Sequence, residues 1–258
     1  MTTAREALSR LRALADPVRA AHAQRYFKTG PGEYAEGDRF LGVTVPNTRR
    51  VLRESTIDLE TAVTLLESEW HEARLLAVLA MVRLYQKGTP EARRNVFDAY
   101  LRHTRTIDNW DLVDSSASQI VGPELCGKGG KALAKLARSK LVWERRIAAI
   151  ATFHALRSGD PTDSLAIAEL LVNDDHDLIH KAVGWMLREL DQRCGRDHLR
   201  DFLRVHSKTM PRTMLRYAIE HLPPAERKRW MERAPITPGA SSPRGPSRAR
   251  RRRARPVS

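Results

Sequence analysis

Apolar residues recur at helical spacing along most of the chain. The segments with this spacing are 62–66, 75–84, 131–137, 147–156, 165–172 and 182–190. Because positions three and four residues apart share one face of an α-helix, each segment is predicted to be a helix with a buried side. Runs of strict apolar–polar alternation, the pattern of half-buried strands, are absent.

Clusters of Gly and Pro separate these segments. They are GPGEYAEG at 30–37, KGTPE at 87–91, GKGGK at 127–131, SGDPTD at 158–163 and LPP at 222–224. Such residues favour turns and end helices. We therefore predict an all-α protein made of many short helices.

A basic residue opens several of the apolar helices at a regular interval. Arg74, Arg146, Lys181 and Arg216 are separated by 72, 35 and 35 residues, and the midpoint of the first interval is Trp110. A period of 35 or 36 residues fits one pair of antiparallel helices per repeat. Such pairs stack into a curved solenoid, and we expect one helix of each pair to line a basic concave face.

The repeat places an unusual set of side chains together. Asp114 lies one turn beyond Trp110, so both project from one side of the same helix. Arg146 occupies the equivalent place one repeat later, and Lys181 and Trp185 share a side of the following repeat. The buried face of a helix is normally aliphatic, so this mixture of tryptophans, a carboxylate and cations favours a functional site.

Each of these residues also has a structural interpretation. Trp110 and Trp185 could be packing residues. Asp114 precedes two serines and could cap a helix N-terminus. Arg146 could pair with an acid of a neighbouring helix. Their coincidence on one surface, rather than any one residue, favours a functional site.

Charge narrows the class of partner. The formal net charge is +14, and residues 236–258 hold seven arginines and no acid, which leaves +7 in residues 1–235. A basic protein with a basic, Pro- and Ser-rich end suits a polyanion such as nucleic acid. The alternative is that the charge only keeps the protein dispersed. We expect residues 1–235 to form the folded domain and residues 236–258 a disordered tail.

The sequence does not support a membrane protein, a secreted disulfide-rich protein or a metalloprotein. No apolar run is long enough to span a membrane, the N-terminus does not resemble a secretory signal, and two cysteines are too few for a disulfide framework. The nine histidines show no metal-ligand spacing. We expect a cytoplasmic monomer that associates with the nucleoid through DNA and needs no metal or cofactor.

The candidate chemistry follows from a carboxylate between two indoles. Ser115 and Ser116 have no His at an identifiable spacing, so a nucleophile–base pair is not indicated. A fixed carboxylate suits a reaction that passes through a sugar cation. Alkylation at N3 or N7 makes a purine cationic and therefore a good leaving group. Asp114 would stabilise the deoxyribose oxocarbenium ion, and the indole faces would favour the same charge.

The sequence resembles the AlkD-like DNA alkylation-repair glycosylases, whose fold is a HEAT-like helical solenoid. The likeness covers about residues 20–222 and is carried by RYFK at 25–28, FLGVTVP at 40–46, NWDLVDSSASQIVG at 109–122, WERRIAA at 143–149 and IHKAVGWMLRE at 179–189. The resemblance implies a monofunctional glycosylase that releases N3- and N7-alkylpurines, such as 3-methyladenine and 7-methylguanine, from duplex DNA.

The resemblance also implies residue roles. Trp110, Asp114 and Trp185 match the cleft residues, Arg146 matches a phosphate-contacting arginine, and Tyr26 matches an aromatic near the DNA. With the repeat's own cations, the predicted DNA-binding residues are Arg146, Lys181, Tyr26, Arg74 and Arg216.

The chain departs from the family at Thr44 and Asp177-Leu178, where a larger polar residue and aromatics are expected; we expect effects on DNA contact or lesion preference. Two alternatives stay open. One is a non-catalytic solenoid that binds branched or damaged DNA, and the other is a protein-interaction scaffold.

Overall fold

The computed structural model describes residues 1–233. The predicted tail at 236–258 therefore lies outside the described residues. The described chain forms sixteen helices and no strand, apart from an isolated bridge between Arg39 and Trp70. The helices, numbered in chain order, are α1 Ala4–Arg12, α2 Pro17–Phe27, α3 Val45–Arg53, α4 Leu59–Leu66, α5 His71–Lys87, α6 Pro90–Arg102, α7 Trp110–Asp114, α8 Ala117–Leu125, α9 Lys131–Ala137, α10 Val142–Ala151, α11 Phe153–Leu156, α12 Thr162–Leu171, α13 Asp177–Arg193, α14 Arg196–His206, α15 Arg212–Ala218 and α16 Pro224–Arg233.

The all-α prediction is confirmed, and the predicted helical segments fall within or across these helices. One segment differs, because 147–156 divides into α10 and α11 at Thr152. The Thr152 hydroxyl donates a 2.7 Å hydrogen bond to the Ala149 carbonyl. A hydroxyl that bonds back to the preceding turn competes with the helical ladder and bends the chain there.

The helices pack in two adjoining rows, as in a helical-repeat solenoid. Along the first row α5 contacts α8, α8 contacts α10, α10 contacts α13 and α13 contacts α15. The helices α4, α6, α9, α12 and α14 pack behind this row. The five frame positions of the predicted repeat fall on α5, α7, α10, α13 and α15. The repeat therefore brings successive helices side by side.

Close contact within the first row depends on a glycine. Gly184 lies in the middle of α13, and a Cβ built there would come within 2.5 Å of the Tyr217 Cβ and 2.6 Å of the Met214 carbonyl oxygen. Any side chain at this position would push α15 away from α13. Gly184 therefore sets the spacing of the two helices, which carry Trp185 and Tyr217.

The segment before α3 is held by a buried carboxylate. Glu72 of α5 accepts hydrogen bonds from the backbone N–H groups of Leu41, Gly42 and Val43 at 2.9, 2.7 and 3.1 Å. Gly42 has a φ of 81°, and a Cβ there would meet the Asp16 carbonyl oxygen at 2.1 Å. These contacts fix α2 against the first row, and α2 carries Tyr26 and Phe27.

Candidate active site

An open pocket of about 370 Å³ lies where α2, α7, α10, α13 and α15 meet. Six of its lining residues are site residues that the sequence predicts. Five are cationic or aromatic, and the sixth is the carboxylate Asp114. The complete lining is Tyr26, Lys28, Tyr34, Trp110, Asp114, Arg146, Leu178, Lys181, Trp185, Arg188 and Tyr217. The structure therefore places Tyr26, Trp110, Asp114, Arg146, Lys181 and Trp185 around one cavity.

The short helix α7 positions two of these residues. The side chain of the buried Asn109 accepts a 2.8 Å hydrogen bond from the Trp110 backbone N–H and starts the helix. Asp114 is the last residue of α7, and α8 has no side-chain cap at its start. The structure therefore gives Asp114 no helix-capping role. Trp110 and Asp114 both face the pocket, one turn apart.

Asp114 and Arg146 form a two-pronged ion pair. Arg146 Nε donates to Asp114 Oδ1 at 2.9 Å, and Nη2 donates to Oδ2 at 2.7 Å. Arg146 Nη1 donates to the Leu178 carbonyl at 2.6 Å. The side chain of Arg146 is 6% exposed and that of Asp114 is 18% exposed. The guanidinium thus ties α7 to α13 and fixes the orientation of the carboxylate.

Burial raises the pKa of the Asp114 carboxyl above its ordinary value, and the Arg146 charge opposes this rise without cancelling it. The two-pronged geometry requires the ionised carboxylate, which accepts at both oxygens. Each oxygen keeps a second lone pair for a group in the pocket. The site therefore presents an oriented anion whose protonation becomes significant at a higher pH than for an ordinary aspartate.

The two tryptophans are partly buried and hydrogen-bonded. Trp110 Nε1 donates to the Tyr34 hydroxyl at 3.2 Å, and its ring stacks on Phe27 with a centroid distance of 5.3 Å. Trp185 Nε1 donates to Glu189 at 3.1 Å. Both indoles pack against the core on one side and line the pocket on the other. Packing and site interpretations therefore both apply to these residues.

The cations of the pocket differ in how far they are neutralised. Lys181 Nζ lies 2.6 Å from Asp177, and Arg188 pairs with Glu220. Lys28 is exposed and has no ion-pair partner within residues 1–233. Its backbone lies in the left-handed region, with a φ of 56°, at the end of α2. Lys28 is therefore the pocket cation whose charge is least compensated by the described protein.

Two predicted DNA-binding residues lie apart from this cavity. Arg74 is buried, and its guanidinium contacts Asp38 at 2.5 Å and Asp108 at 3.2 Å. Arg216 is exposed but does not line the pocket; the next residue, Tyr217, does. The repeat frame assumed the same helical rotation in every repeat. On α15 the lining position falls one residue later.

Several lining residues were absent from the sequence prediction: Lys28, Tyr34, Leu178, Arg188 and Tyr217. Tyr34 belongs to the Gly-rich segment 30–37, whose composition indicates only a break between helices. Lys28 belongs to the RYFK segment. Leu178, one of the departures from the family, supplies the carbonyl that binds Arg146. A loop residue has no periodicity, so no spacing argument could have placed Tyr34.

Two other kinds of feature are absent from residues 1–233. No helix there is long and apolar enough to cross a membrane. No group of three or more His, Cys, Asp or Glu side chains is arranged to hold a metal ion there.

Comparison with known proteins identifies the family and the fold of this chain. The family model described as "DNA alkylation repair enzyme" matches residues 7–222. No curated protein matches at a significant level. A solved structure described as a predicted DNA alkylation repair enzyme from Enterococcus faecalis shares the fold, with a TM-score of 0.60 and 16% sequence identity, covering 81% of this chain and 96% of that one. The chain belongs to the DNA alkylation repair enzyme family.

Proposed function

We propose that this protein is a monofunctional DNA glycosylase that hydrolyses the N-glycosidic bond of cationic N3- and N7-alkylpurines in duplex DNA. One observation carries the proposal: an oriented carboxylate, Asp114, lies in an open pocket that is also lined by Trp110 and Trp185. No metal or cofactor is needed for this reaction.

The chemistry requires little from the base. An alkylated purine already carries a positive charge, so the bond between C1′ and the purine nitrogen breaks with its electron pair leaving on the base. The deoxyribose becomes an oxocarbenium-like cation. Asp114 stabilises that charge electrostatically and orients a water molecule toward C1′. The water oxygen bonds to C1′, and the proton it loses passes through the Asp114 carboxylate to solvent. A preorganised group of this kind contributes about 10²–10³-fold to a rate.

The two indoles favour the same transition state. Both are held by hydrogen bonds, Trp110 to Tyr34 and Trp185 to Glu189, so their faces do not have to be reoriented when DNA binds. The π-face of an indole attracts a cation over its ring. The proposed role of Trp110 and Trp185 is therefore to enclose the charged sugar and exclude bulk water on two sides.

The proposed DNA contacts come mainly from Lys28, Lys181 and Tyr26, whereas Arg146 has mostly intramolecular partners. Arg146 already donates three hydrogen bonds within the protein, so two of its five N–H groups are left for a phosphate, and its main role is to orient Asp114. Lys28, with no ion-pair partner in the described chain, is proposed to bind a phosphate next to the lesion, assisted by Lys181. Tyr26, which is 59% exposed, would pack against the sugar–phosphate backbone.

Arg216 is exposed and is proposed to contact the backbone beyond the pocket. Arg74 is proposed to act indirectly, because its guanidinium is buried against Asp38 and Asp108.

The proposal is tested by incubating the protein with a duplex that contains one 7-methylguanine and measuring free base in the supernatant by mass spectrometry. The expected result is stoichiometric release of 7-methylguanine, an intact abasic strand before alkali treatment, and no release from an unmodified duplex. Binding of both duplexes without release would favour the non-catalytic DNA-binding alternative. Absence of DNA binding would favour a protein scaffold.

A further inference from the structure

A buried histidine, His71, does not line the pocket but contacts α7 through Asp111. His71 Nδ1 is 2.9 Å from Asp38 Oδ2, and Nε2 is 2.8 Å from Asp111 Oδ2. The side chains of His71, Asp38 and Asp111 are 3%, 6% and 15% exposed. Because an ionised carboxylate only accepts hydrogen bonds, both ring nitrogens must donate. The geometry therefore requires the doubly protonated imidazolium.

The surroundings of His71 stabilise this cation. Its ring stacks on Phe40 with a centroid distance of 4.6 Å and packs on Phe27 at 5.0 Å. The two phenylalanine rings also contact each other, with centroids 5.0 Å apart, and aromatic rings attract a buried positive charge. Burial alone would lower the pKa of His71, but the Asp111 and Asp38 carboxylates outweigh burial and raise it to about 9.

The other charged groups of this cluster are already paired. Asp38 also accepts from Arg74 and from Asn109, and Arg74 contacts Asp108 as well. Glu72, the next residue of α5, binds three backbone N–H groups of segment 41–43. Asp111 is different: its second oxygen is buried without a hydrogen-bond partner within the described chain. His71 is thus the group that compensates the Asp111 charge.

Two routes lead from His71 to the pocket. The first is direct, because Asp111 belongs to α7 and lies one turn from Asp114. The second runs through Phe27, whose ring contacts the His71 ring. The Phe27 ring also stacks on the Trp110 ring, with centroids 5.3 Å apart and planes 22° from parallel. His71 therefore supports both residues that α7 presents to the pocket: Asp114 through Asp111, and Trp110 through Phe27.

We propose that His71 is a positioning residue: as a cation bridging Asp38 and Asp111, it fixes α7 and the Trp110 ring, and it neutralises Asp111 so that the Asp114 carboxylate keeps its charge. The proposal rests on the proposed glycosylase function. It assigns to a histidine that touches no substrate a measurable control over the ionisation of the group that does.

The proposal predicts opposite effects of two substitutions. Asp111 raises the pKa of Asp114. In His71→Gln the amide can still donate to Asp111, but the positive charge is lost, so Asp111 acts more strongly on Asp114. In Asp111→Asn the negative charge itself is removed. The acid limb of the base-release rate should therefore move to higher pH in His71→Gln and to lower pH in Asp111→Asn.

The measurement is the single-turnover release of 7-methylguanine as a function of pH, with release in the absence of protein subtracted. We expect acid limbs shifted in opposite directions and a rate about tenfold or more lower in His71→Gln than in wild type at pH 7. In the double variant the limb should return toward the wild-type position. His22→Gln, which changes an exposed histidine of α2, is the matched control and should leave the profile unchanged. Coincident limbs, or shifts in the same direction, would overturn the proposal.

A second readout does not depend on catalysis. ¹⁵N NMR of His71 at pH 8 should show two protonated ring nitrogens, whereas a single protonated nitrogen would contradict the bridging cation even if the enzyme is active. If His71→Gln does not fold, the Asp111→Asn pH profile and the NMR measurement still test the proposal: an unshifted acid limb or a singly protonated His71 would overturn it. If wild-type protein releases no base while His71 is doubly protonated, the proposed function fails and the bridge stands.

Discussion

The guanidinium of Arg146 holds the carboxylate of Asp114 by two nearly parallel hydrogen bonds of 2.9 and 2.7 Å, although 32 residues separate them in the chain. Asp114 lies at the end of α7 and Arg146 lies on α10. The ion pair gives the proposed catalytic anion a fixed direction, because a guanidinium fork binds both carboxylate oxygens at once.

The fork geometry of this pair predicts that a positive charge at position 146 is not enough to orient the Asp114 carboxylate. Arg146→Lys keeps the cation but donates from a single point, so Asp114 should lose its fixed orientation. We expect base release to fall about 10-fold or more in Arg146→Lys and further in Arg146→Ala, where removing one partner of a buried pair also destabilises the fold by roughly 3–5 kcal/mol. Single-turnover rates and urea unfolding test this. Equal rates in wild type and Arg146→Lys would show that orientation by the fork is unimportant.

Lys28 is predicted to bind a DNA phosphate. The slope of log K against log salt concentration should become shallower by about one in Lys28→Ala, as expected for one lost phosphate contact. Lys135→Ala, which removes an exposed lysine of α9 in the second row, is the matched control and should keep the wild-type slope. Fluorescence anisotropy with a duplex at several salt concentrations gives the slopes. An unchanged slope in Lys28→Ala would place this lysine away from the backbone.

The buried His71 bridge predicts a pH dependence of stability. Its folded pKa of about 9 exceeds the ordinary value of 6.5, so its contribution is fully present below pH 6.5 and is lost as the pH rises through 9. A shift of this size corresponds to roughly 3 kcal/mol. The difference in unfolding free energy between wild type and His71→Gln should therefore be large at pH 6 and much smaller at pH 9.5. A difference that stays constant with pH would mean that His71 is buried without charge.

Much of this fold follows from local patterns. The apolar spacing predicted the helices, and a 35–36-residue interval brought Trp110, Asp114, Arg146 and Trp185 to one surface. Two kinds of information were missing. Tyr34 comes from a loop, which has no period. The rotation of α15, which puts Tyr217 instead of Arg216 at the pocket, differs from the constant rotation of the repeat frame. Spacing places residues on a surface without saying which side chains will bond, so it does not identify Arg146 as the partner of Asp114.

The Arg-rich segment 236–258 lies outside the described residues, and its role remains a prediction from composition. A protein truncated after Pro235 should release base at the wild-type single-turnover rate when DNA is saturating, because every lining residue of the pocket lies within residues 26–217. Non-specific affinity should fall at low salt, since seven arginines are removed. A truncated protein that binds DNA but cannot release base would assign the tail to the reaction.

The central claim is that the charge of Asp114 stabilises the sugar cation, and Asp114→Asn tests it most directly. Asn is nearly the same size, and its single oxygen can still accept one of the two Arg146 hydrogen bonds, so DNA affinity should be retained; circular dichroism checks that the variant is folded. With saturating wild-type or variant protein on a duplex containing 7-methylguanine, we predict a base-release rate at least about 100-fold lower in the variant, at unchanged affinity. Release by Asp114→Asn at the wild-type rate would contradict the account.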